Sequence, residues 1–279
     1  MSVQDRPPAP EPLPGPVVDS HCHLDIGRDE DEGPVPVEQA LAVAAAVGVE
    51  RVVQIGCDLA GARWAVDLAA AHAPVVAGIA LHPTEATRHA DEGTLGPALA
   101  EIQQLAARPE VRAVGETGLD HYWVGPDGRP AQEESFRAHP PRARERGKAL
   151  VIHDRDAHAD VIRVLEDAGP PETVVFHCFS GDAAMARYCV DRGWYLSFAG
   201  PVTFRNAGPL REALAQVALD QVLVETDAPY LTPHPYRGRP NGPYLLPYTV
   251  RTVAEVLGHD LEEVCATVTA NAFRVFGRW

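Results

Sequence analysis

This chain lacks the segments that mark membrane and secreted proteins. No apolar run among its 279 residues approaches the length needed to span a bilayer. No basic segment followed by an apolar stretch opens the chain, as a secretory signal would. The five cysteines are odd in number and show no paired spacing, which argues against a disulfide framework. These absences predict a cytoplasmic protein with reduced thiols and no membrane partner.

Positive charge is also scarce. The chain has 24 Lys and Arg residues against 39 Asp and Glu residues, for a net charge of −15. Proteins that hold nucleic acid mainly by charge are usually basic, so this chain cannot attract DNA through its overall field. A phosphodiester would have to be bound by local cations, meaning metal ions and a few arginines. Nothing in the sequence indicates an obligate protein partner.

The chain divides into a short leader and one long domain. Residues 1–16 are rich in proline and predict a disordered leader, whereas 17–279 predict a single domain. The predicted strands of that domain are 17–22, 51–57, 75–81, 112–117, 149–153, 173–178, 194–199 and 222–226. The predicted helices are 36–47, 59–72, 94–107, 131–146, 156–168, 182–192, 208–217, 247–257 and 260–273. Eight strands, each followed by a helix, predict an α/β fold, a single (β/α)8 TIM barrel.

A pair of histidines closes the first predicted strand. His21 and His23 lie one residue apart in Asp-Ser-His-Cys-His-Leu-Asp (19–25). Side chains alternate along a strand with a period of two, so both imidazoles project to the same side. Both can therefore reach one divalent cation.

Further ligand types end later predicted strands. The additional candidate ligands are Glu116, His153, His177 and Asp227. Together with the histidine pair they predict a metal centre at the carboxyl ends of several strands, and four imidazoles with two carboxylates suit two divalent ions such as Mg, Mn or Zn. Glu116, near the middle of the set, is the expected bridge between the ions. Asp227 is expected to bind the ion held by the histidine pair and to accept a proton from the attacking water.

Two features point to the substrate side of the site. His82 ends the third predicted strand in Ala-Leu-His-Pro (80–83), where a substrate contact and a packing role both remain open. The segment from Tyr230 to Tyr248 is a long loop rich in proline and glycine after the last strand. In a barrel such a loop lies over the active-site face, so it is a natural substrate wall.

The motifs around these residues resemble the TatD family of metal-dependent hydrolases. The resemblance runs from about Val17 to Phe276. The matching segments are Asp-Ser-His-Cys-His-Leu-Asp (19–25), Gly-Glu-Thr-Gly-Leu-Asp (115–120), Val-Ile-His-Asp-Arg-Asp-Ala-His (151–158), His-Cys-Phe-Ser-Gly (177–181) and Glu-Thr-Asp-Ala-Pro-Tyr-Leu-Thr-Pro (225–233). The resemblance implies a dinuclear hydrolase barrel, often described as a magnesium-dependent deoxyribonuclease.

The resemblance also assigns roles to individual residues. It implies one metal ion on His21, His23, Glu116 and Asp227, and a second on Glu116, His153 and His177. Two arginines, Arg155 and Arg237, are candidate phosphate contacts because a planar guanidinium suits phosphate oxygens. The alternative for each arginine is a salt bridge that braces its loop.

Two departures from the family pattern bear on specificity. Asn241-Gly242-Pro243 lacks the glutamate that the family usually places between asparagine and proline. Pro140-Pro141 falls inside the predicted helix 131–146, which is therefore expected to break or to form two shorter pieces. Neither departure touches a predicted metal ligand.

The sequence therefore predicts a metal-dependent hydrolase, most simply a deoxyribonuclease that cleaves phosphodiesters from a 3′ end. A narrow barrel mouth excludes the middle of a duplex but admits an exposed strand end. The first alternative is an amidohydrolase-type enzyme that cleaves an amide or ester in a small molecule, since the same barrel and ligands serve that chemistry. A non-catalytic metal-binding or scaffold protein is the second alternative, and it predicts an incomplete ligand set.

Overall fold

The computed structural model describes residues 6–27 and 33–279. The strands are β1 (Val17–Cys22), β2 (Val49–Gly56), β3 (Val75–Ile79), β4 (Val111–Asp120), β5 (Ala149–Arg155), β6 (Val174–Phe176), β7 (Tyr195–Phe198) and β8 (Val222–Val224). The helices are α1 (Val37–Ala45), α2 (Leu59–Ala71), α3 (Pro83–Asp91), α4 (Leu95–Leu105), α5 (Arg129–Arg146), α6 (His158–Ala168), α7 (Ala183–Val190), α8 (Gly208–Leu214), α9 (Leu246–Leu257) and α10 (Leu261–Phe276).

The eight strands belong to one sheet, in which they follow each other in chain order. β3 with β4, β4 with β5, β5 with β6, and β7 with β8 all pair in parallel. Most strand residues are buried, as expected for parallel strands covered on both faces. Alternating helices and a parallel sheet in chain order confirm the predicted (β/α)8 barrel fold.

The chain divides into two compact units. The terminal unit comprises Met1–Val53 and Gly181–Arg274 as far as they are described, and the central unit comprises Gln54–Ser180 and Val275–Trp279. In the terminal unit, the Asn271 amide of α10 donates hydrogen bonds to the carbonyls of Leu219 and Val222, at 2.8 and 2.7 Å. The last helix is thereby fastened to the start of β8.

In the central unit, β4 and β5 form the longest of the four parallel pairings named above. Their register runs from Ala113 opposite Ala149 to Asp120 opposite Arg155. β4 therefore extends to Asp120, farther than the predicted strand 112–117. This extension carries β4 past Glu116 and brings Asp120 to the same end of the ladder as the residues of β5.

Helix α5 is continuous, which differs from the predicted break at Pro140-Pro141. It runs from Arg129 to Arg146 with both prolines inside. Packing compensates for the missing proline N–H groups, since Phe136 and Ala143 are fully buried on either side of the pair. Tertiary contacts here outweigh a local helix penalty of about 3 kcal/mol per proline.

Helix α3 was not predicted from the sequence, because its residues are mostly polar. Two start signals are nevertheless present: Pro83 stands in the first turn, and His82 caps the helix by accepting a hydrogen bond from the Thr84 N–H at 3.2 Å. The cap gives His82 a structural role of its own.

The described part of the leader is ordered. Within residues 6–16, the Pro7 carbonyl accepts a hydrogen bond from the Tyr244 hydroxyl at 2.8 Å, and the Glu11 carbonyl accepts one from the Arg251 guanidinium at 2.8 Å. A proline-rich segment leaves its carbonyls free of internal bonds, so they can accept from side chains of the domain. These residues therefore differ from the predicted disordered leader, and its first five residues lie outside the described ranges.

Two expectations about the whole chain can be compared with the structure. No disulfide joins any of the five cysteines, all of which lie within the described residues. Across residues 6–27 and 33–279, no helix combines the length and the apolar character that crossing a membrane requires.

Candidate metal centre

The terminal unit brings three predicted ligands together, and we call them the terminal cluster. His21 belongs to β1, His23 follows that strand directly, and Asp227 follows β8. One ligand atom from each lies within 4.8 Å of the others. The Asp227 Oδ1 atom is 3.3 Å from His23 Nε2 and 3.8 Å from His21 Nε2. Two imidazoles and a carboxylate that converge in this way can hold one divalent ion.

Backbone hydrogen bonds extend the contact between β1 and β8 beyond the ends of the strands. The Asp227 N–H donates to the His21 carbonyl at 2.9 Å, and the His23 N–H donates to the Ala228 carbonyl at 2.7 Å. Asp227 itself has φ +52°, in the left-handed region that costs most residues energy but that aspartate tolerates. Strain of this kind is concentrated at functional sites.

A buried carboxylate lies behind the terminal cluster. Asp19 is fully buried and accepts hydrogen bonds from the Thr226 hydroxyl at 2.5 Å, the Thr226 N–H at 2.9 Å and the His21 N–H at 3.3 Å. Burial raises the pKa of Asp19 to about 7, against the lowering effect of the Thr226 hydrogen bonds. Asp19 thus joins the segment that carries His21 to the segment that precedes Asp227.

The central unit brings together the other three predicted ligands, which form the central cluster. Glu116 Oε2 is 2.9 Å from His153 Nδ1 and 2.8 Å from His177 Nε2. The two imidazole nitrogens are 3.3 Å apart. One carboxylate oxygen of Glu116 therefore contacts two imidazole nitrogens, and this set of three atoms suits a second divalent ion.

Close backbone approach between β4 and β5 positions His153. Gly118 lies directly opposite His153 in the ladder and has φ +147°. A Cβ at this position would collide with the His153 carbonyl oxygen. Only glycine permits both this backbone conformation and this separation of the strands.

Asp120 contacts a candidate ligand, although its position in the sequence did not single it out. Its Oδ2 atom is 3.1 Å from His153 Nε2. When Nε2 carries the ring proton and donates it to Asp120, the Nδ1 atom that faces Glu116 is unprotonated. Burial alone would raise the pKa of Asp120, but hydrogen bonds from His153 and from the Trp123 N–H lower it overall. The spacing contained the signal, because residues 116, 118 and 120 share one side of a strand.

The pKa of His153 is also set by burial and hydrogen bonds, which act on it in the opposite directions. Burial alone would lower the pKa of its imidazole, but hydrogen bonds to Asp120 and Glu116 raise it overall. The two carboxylates therefore increase the basicity of the ring, which favours its role as a ligand.

Cys57 is a second contact that the sequence analysis missed. The thiol is 3.2 Å from Glu116 Oε1, the oxygen that does not contact His153. Cys57 directly follows β2, and a polar group at that position is the only signal that the sequence offers. Its hydrogen bond orients the Glu116 carboxylate.

His82 lies against the central cluster. Its ring is 4.4 Å from the His153 ring, centroid to centroid, at an interplanar angle of 72°. Burial and the neighbouring His153 lower the pKa of His82 to about 3. The ring is therefore neutral and, together with the cap on α3, has a packing role, while the predicted substrate contact stays a prediction.

The two predicted phosphate contacts are both exposed and both rest on aromatic rings. The Arg155 guanidinium lies 4.2 Å from the ring centroid of Tyr122, in the central unit. The Arg237 guanidinium lies 4.7 Å from that of Phe204, in the terminal unit. Among the described residues, neither arginine pairs with a carboxylate. The predicted alternative of a bracing salt bridge therefore finds no support in these residues.

A cavity of about 280 Å³ lies beside His23 in the terminal unit. Asn241, Gly242 and Tyr244 line one side of it, so the predicted loop wall stands next to a candidate ligand. A Cβ at Gly242 would lie 3.1 Å from two ring carbons of Tyr244, a tight contact. Glycine in place of the glutamate typical of the family therefore avoids a tight contact with the Tyr244 ring.

The donor sets of both clusters fit divalent metal ions. Each cluster offers imidazole nitrogens and at least one carboxylate oxygen, the donors that suit zinc, manganese and related ions. Asp120 adds the outer hydrogen bond that metal-binding histidines usually make.

A family model described as TatD related DNase matches residues 18–277. The chain belongs to the TatD family of metal-dependent hydrolases. It is 50% identical over 267 residues to a metal-dependent hydrolase TatD of Mycobacterium tuberculosis, with 94% of this chain and 98% of the relative covered. The family resemblance seen in the motifs is thereby confirmed.

Solved structures of the TatD family share the fold. The TatD homologue YJJV of Escherichia coli superposes with a TM-score of 0.83 at 27% identity, covering 93% of this chain and 97% of that one. An amidohydrolase from Saccharomyces cerevisiae has a TM-score of 0.79 at 16% identity, covering 95% of this chain and 100% of that one. The latter similarity shows the barrel fold alone.

Proposed function

We propose that this TatD-family hydrolase is a deoxyribonuclease that removes nucleotides from the 3′ end of an exposed DNA strand. One observation carries the proposal: an exposed guanidinium without a carboxylate partner among the described residues, Arg155, lies two positions after His153 on the same strand. Residues two apart on a strand share a side, so a cation suited to phosphate lies next to a candidate metal ligand. The family description as a DNase supports the same substrate.

The proposal includes two divalent ions, Mg, Mn or Zn. His21, His23 and Asp227 would hold one ion, and Glu116, His153 and His177 the other. When bound, such ions lower the pKa of water and polarise phosphoryl oxygens. The bridging role of Glu116 stays a prediction, as do the cytoplasmic location and the independence from protein partners.

The residues themselves supply the remaining steps. Asp227 has a carboxylate oxygen facing the terminal histidines and would accept the proton of the attacking water. Asp120 would accept a hydrogen bond from the protonated Nε2 of His153, so that the unprotonated Nδ1 can bind a metal ion. Arg155 would bind a phosphate oxygen of the substrate and orient the scissile group.

Hydrolysis of an amide or ester is the second candidate function. The amidohydrolase from Saccharomyces cerevisiae shares the fold, and the same donor sets serve C–N cleavage. The two exposed arginines favour a phosphodiester, since a neutral amide offers them no anionic oxygen to bind.

A direct assay can test this ranking. The protein is stripped of metal by chelation, reloaded separately with Mg²⁺, Mn²⁺ or Zn²⁺, and incubated with 5′-labelled and 3′-labelled single-stranded DNA and with simple amides and esters. We expect 3′-end shortening with at least one ion. Turnover of an amide or ester with no cleavage of DNA under any ion would overturn the proposal.

Two ligand variants test the metal chemistry in the same assay. We expect His21→Ala and Asp227→Asn to reduce activity by at least about 100-fold, with an unchanged circular dichroism spectrum. His259→Ala is the matched control, since His259 is an exposed histidine between α9 and α10 that pairs with Glu263. Activity that survives both ligand changes would remove the metal mechanism.

A further inference from the structure

Two aromatic side chains stand exposed in the turn after β4. Tyr122 is 56% and Trp123 66% exposed, the highest values among the large hydrophobic residues that the structure describes. Their rings are nearly perpendicular, with centroids 4.9 Å apart. Two adjacent exposed rings leave apolar surface in contact with water, which is typical of interaction surfaces.

The turn that carries these rings is held rigidly. The N–H groups of Tyr122 and Trp123 donate to Asp120 Oδ1 at 3.0 and 2.7 Å. The other oxygen of the same carboxylate contacts His153 Nε2. A single side chain, Asp120, therefore connects the aromatic turn to a candidate metal ligand, so the rings have a fixed position relative to that ligand.

A cation completes the surface. The Arg155 guanidinium lies 4.2 Å from the ring centroid of Tyr122 and 5.5 Å from that of Trp123. The backbone is tied as well, since the His121 N–H donates to the Arg155 carbonyl at 2.9 Å. Stacking on the rings orients the guanidinium while its N–H donors remain available to an anion.

Flat aromatic faces beside a planar cation match the chemistry of a nucleotide. Proteins bind single strands by stacking bases on aromatic side chains while cations contact the phosphates. Stacking matters more in this chain than in a basic protein, because a net charge of −15 opposes binding through the overall field. Paired bases inside a duplex do not offer a free face to such a surface.

We propose that Tyr122, Trp123 and Arg155 form a stacking platform for an unpaired base of the substrate strand, with Arg155 on an adjacent phosphate. The proposal rests on the proposed function and specifies its substrate as single-stranded nucleic acid. Trp123 is the expected stacking surface because it is the more exposed of the two rings. Tyr122 supports the guanidinium.

The test uses the metal-loaded full-length protein and a 5′-labelled single-stranded oligonucleotide. We expect Trp123→Ala to raise KM about 5- to 150-fold, the usual effect of losing one stacked base, with kcat changed by less than about threefold. Trp123→Phe should restore most of the affinity, because it retains an aromatic face.

The terminal unit contains a matched control. Arg192 lies over Tyr188 at 3.4 Å and beside Trp194 at 5.7 Å, a cluster of the same composition that precedes β7 instead of following a strand. Tyr188→Ala and Arg192→Ala should leave KM unchanged. A Trp123→Ala variant with the same KM as the wild type, or with no more effect than Tyr188→Ala, would overturn the platform.

A substrate series locates the stacked base. A single abasic nucleotide is moved through the last positions of the 3′ end, and KM is measured for the wild type and for Trp123→Ala. At one position, the abasic site should weaken the wild type but have no further effect on the variant, as expected for two groups in direct contact. Equal effects on both proteins at every position would contradict the proposal.

A binding measurement separates this proposal from the proposed function. Quenching of tryptophan fluorescence by oligothymidylate is compared between the wild type and Trp123→Phe. Quenching that depends on Trp123, without cleavage under any ion, would overturn the deoxyribonuclease and support the platform. Cleavage without any such dependence would support the deoxyribonuclease and overturn the platform.

Discussion

The two units carry similar sets of candidate metal ligands, but different kinds of contact hold those ligands in place. In the terminal unit, one histidine in β1 and one directly after it face an aspartate that follows β8, and a fully buried carboxylate, Asp19, accepts hydrogen bonds from the backbone behind them. In the central unit, the ligands come from three successive strands, and Asp120 contacts a ligand ring directly. Asp19 therefore contacts the backbone of a candidate ligand, His21, whereas Asp120 contacts the ring of a candidate ligand, His153.

This difference predicts which property each kind of contact controls. Loss of a backbone anchor should mainly reduce the stability of the unit, because the strands that carry the ligands are held less firmly. Loss of a side-chain contact should mainly reduce metal affinity, because the ligand ring loses its orientation. Two substitutions test this distinction, and a third compares surface ion pairs of the two units; the largest expected effect comes first.

The first substitution removes the contact on His153. In Asp120→Asn, one oxygen can still accept from the turn, but the amide group cannot accept the proton of His153 Nε2. We expect metal affinity to fall about 10- to 100-fold, measured by titration calorimetry of the metal-free protein.

Glu263→Gln provides the matched control, since it removes the carboxylate from the exposed ion pair between Glu263 and His259. It should leave metal affinity unchanged. If Asp120→Asn binds metal as tightly as the wild type, Asp120 does not position His153.

The second substitution removes the hydroxyl that contacts Asp19. Thr226→Val keeps the shape of a fully packed residue but deletes a 2.5 Å hydrogen bond to a buried carboxyl group. We expect the free energy of unfolding to fall by about 2 kcal/mol in urea titrations at alkaline pH. Asp19, with a pKa of about 7, is ionised there, and hydrogen bonds to charged groups contribute about 1.5–3 kcal/mol.

Thr117→Val in the central unit is the comparison, because Thr117 contacts the buried His139 ring at 3.2 Å without a carboxylate. We expect Thr117→Val to lower the free energy of unfolding by about 1 kcal/mol. An equal loss of unfolding free energy in the two variants would show that the hydrogen bond to Asp19 stabilises the protein no more than a hydrogen bond between neutral groups.

The third substitution concerns surface charge in the central unit. The Glu133 carboxylate contacts Arg163 at 2.9 Å and Arg137 at 2.8 Å, and Arg163 chiefly lowers its pKa to about 2. A lowered folded-state pKa adds stability above the unfolded value near 4.5, and this stability is lost as pH falls toward 2.

We therefore expect Glu133→Gln to lower the free energy of unfolding by about 0.5–1 kcal/mol at pH 7, since solvent screens this pair, and by much less near pH 2, where Glu133 is half protonated. Thermal unfolding at both pH values measures the difference. Glu50→Gln, which breaks a looser 3.6 Å pair in the terminal unit, should have a smaller effect at either pH. A cost for Glu133→Gln that does not vary with pH would contradict the ion-pair origin.

Prediction from sequence was strongest where a local pattern repeats. Alternation of strand and helix segments predicts the barrel, and ligand types at strand ends predict both clusters. It was weakest where a distant contact overrides a local preference. The proline pair in α5 and the ordered residues of the leader are two such cases, since burial and hydrogen bonds from other segments outweigh their local tendencies.

The sequence by itself determined the fold class, the family and the identity of the six candidate ligands, because these depend on residue type and period along the chain. Only the tertiary structure decided how the ligands are oriented and what supports them. Asp120 contacts His153 across 33 positions and Asp19 contacts Thr226 across 207. Side-chain hydrogen bonds over such separations depend on register, twist and packing, which no local pattern of residues encodes.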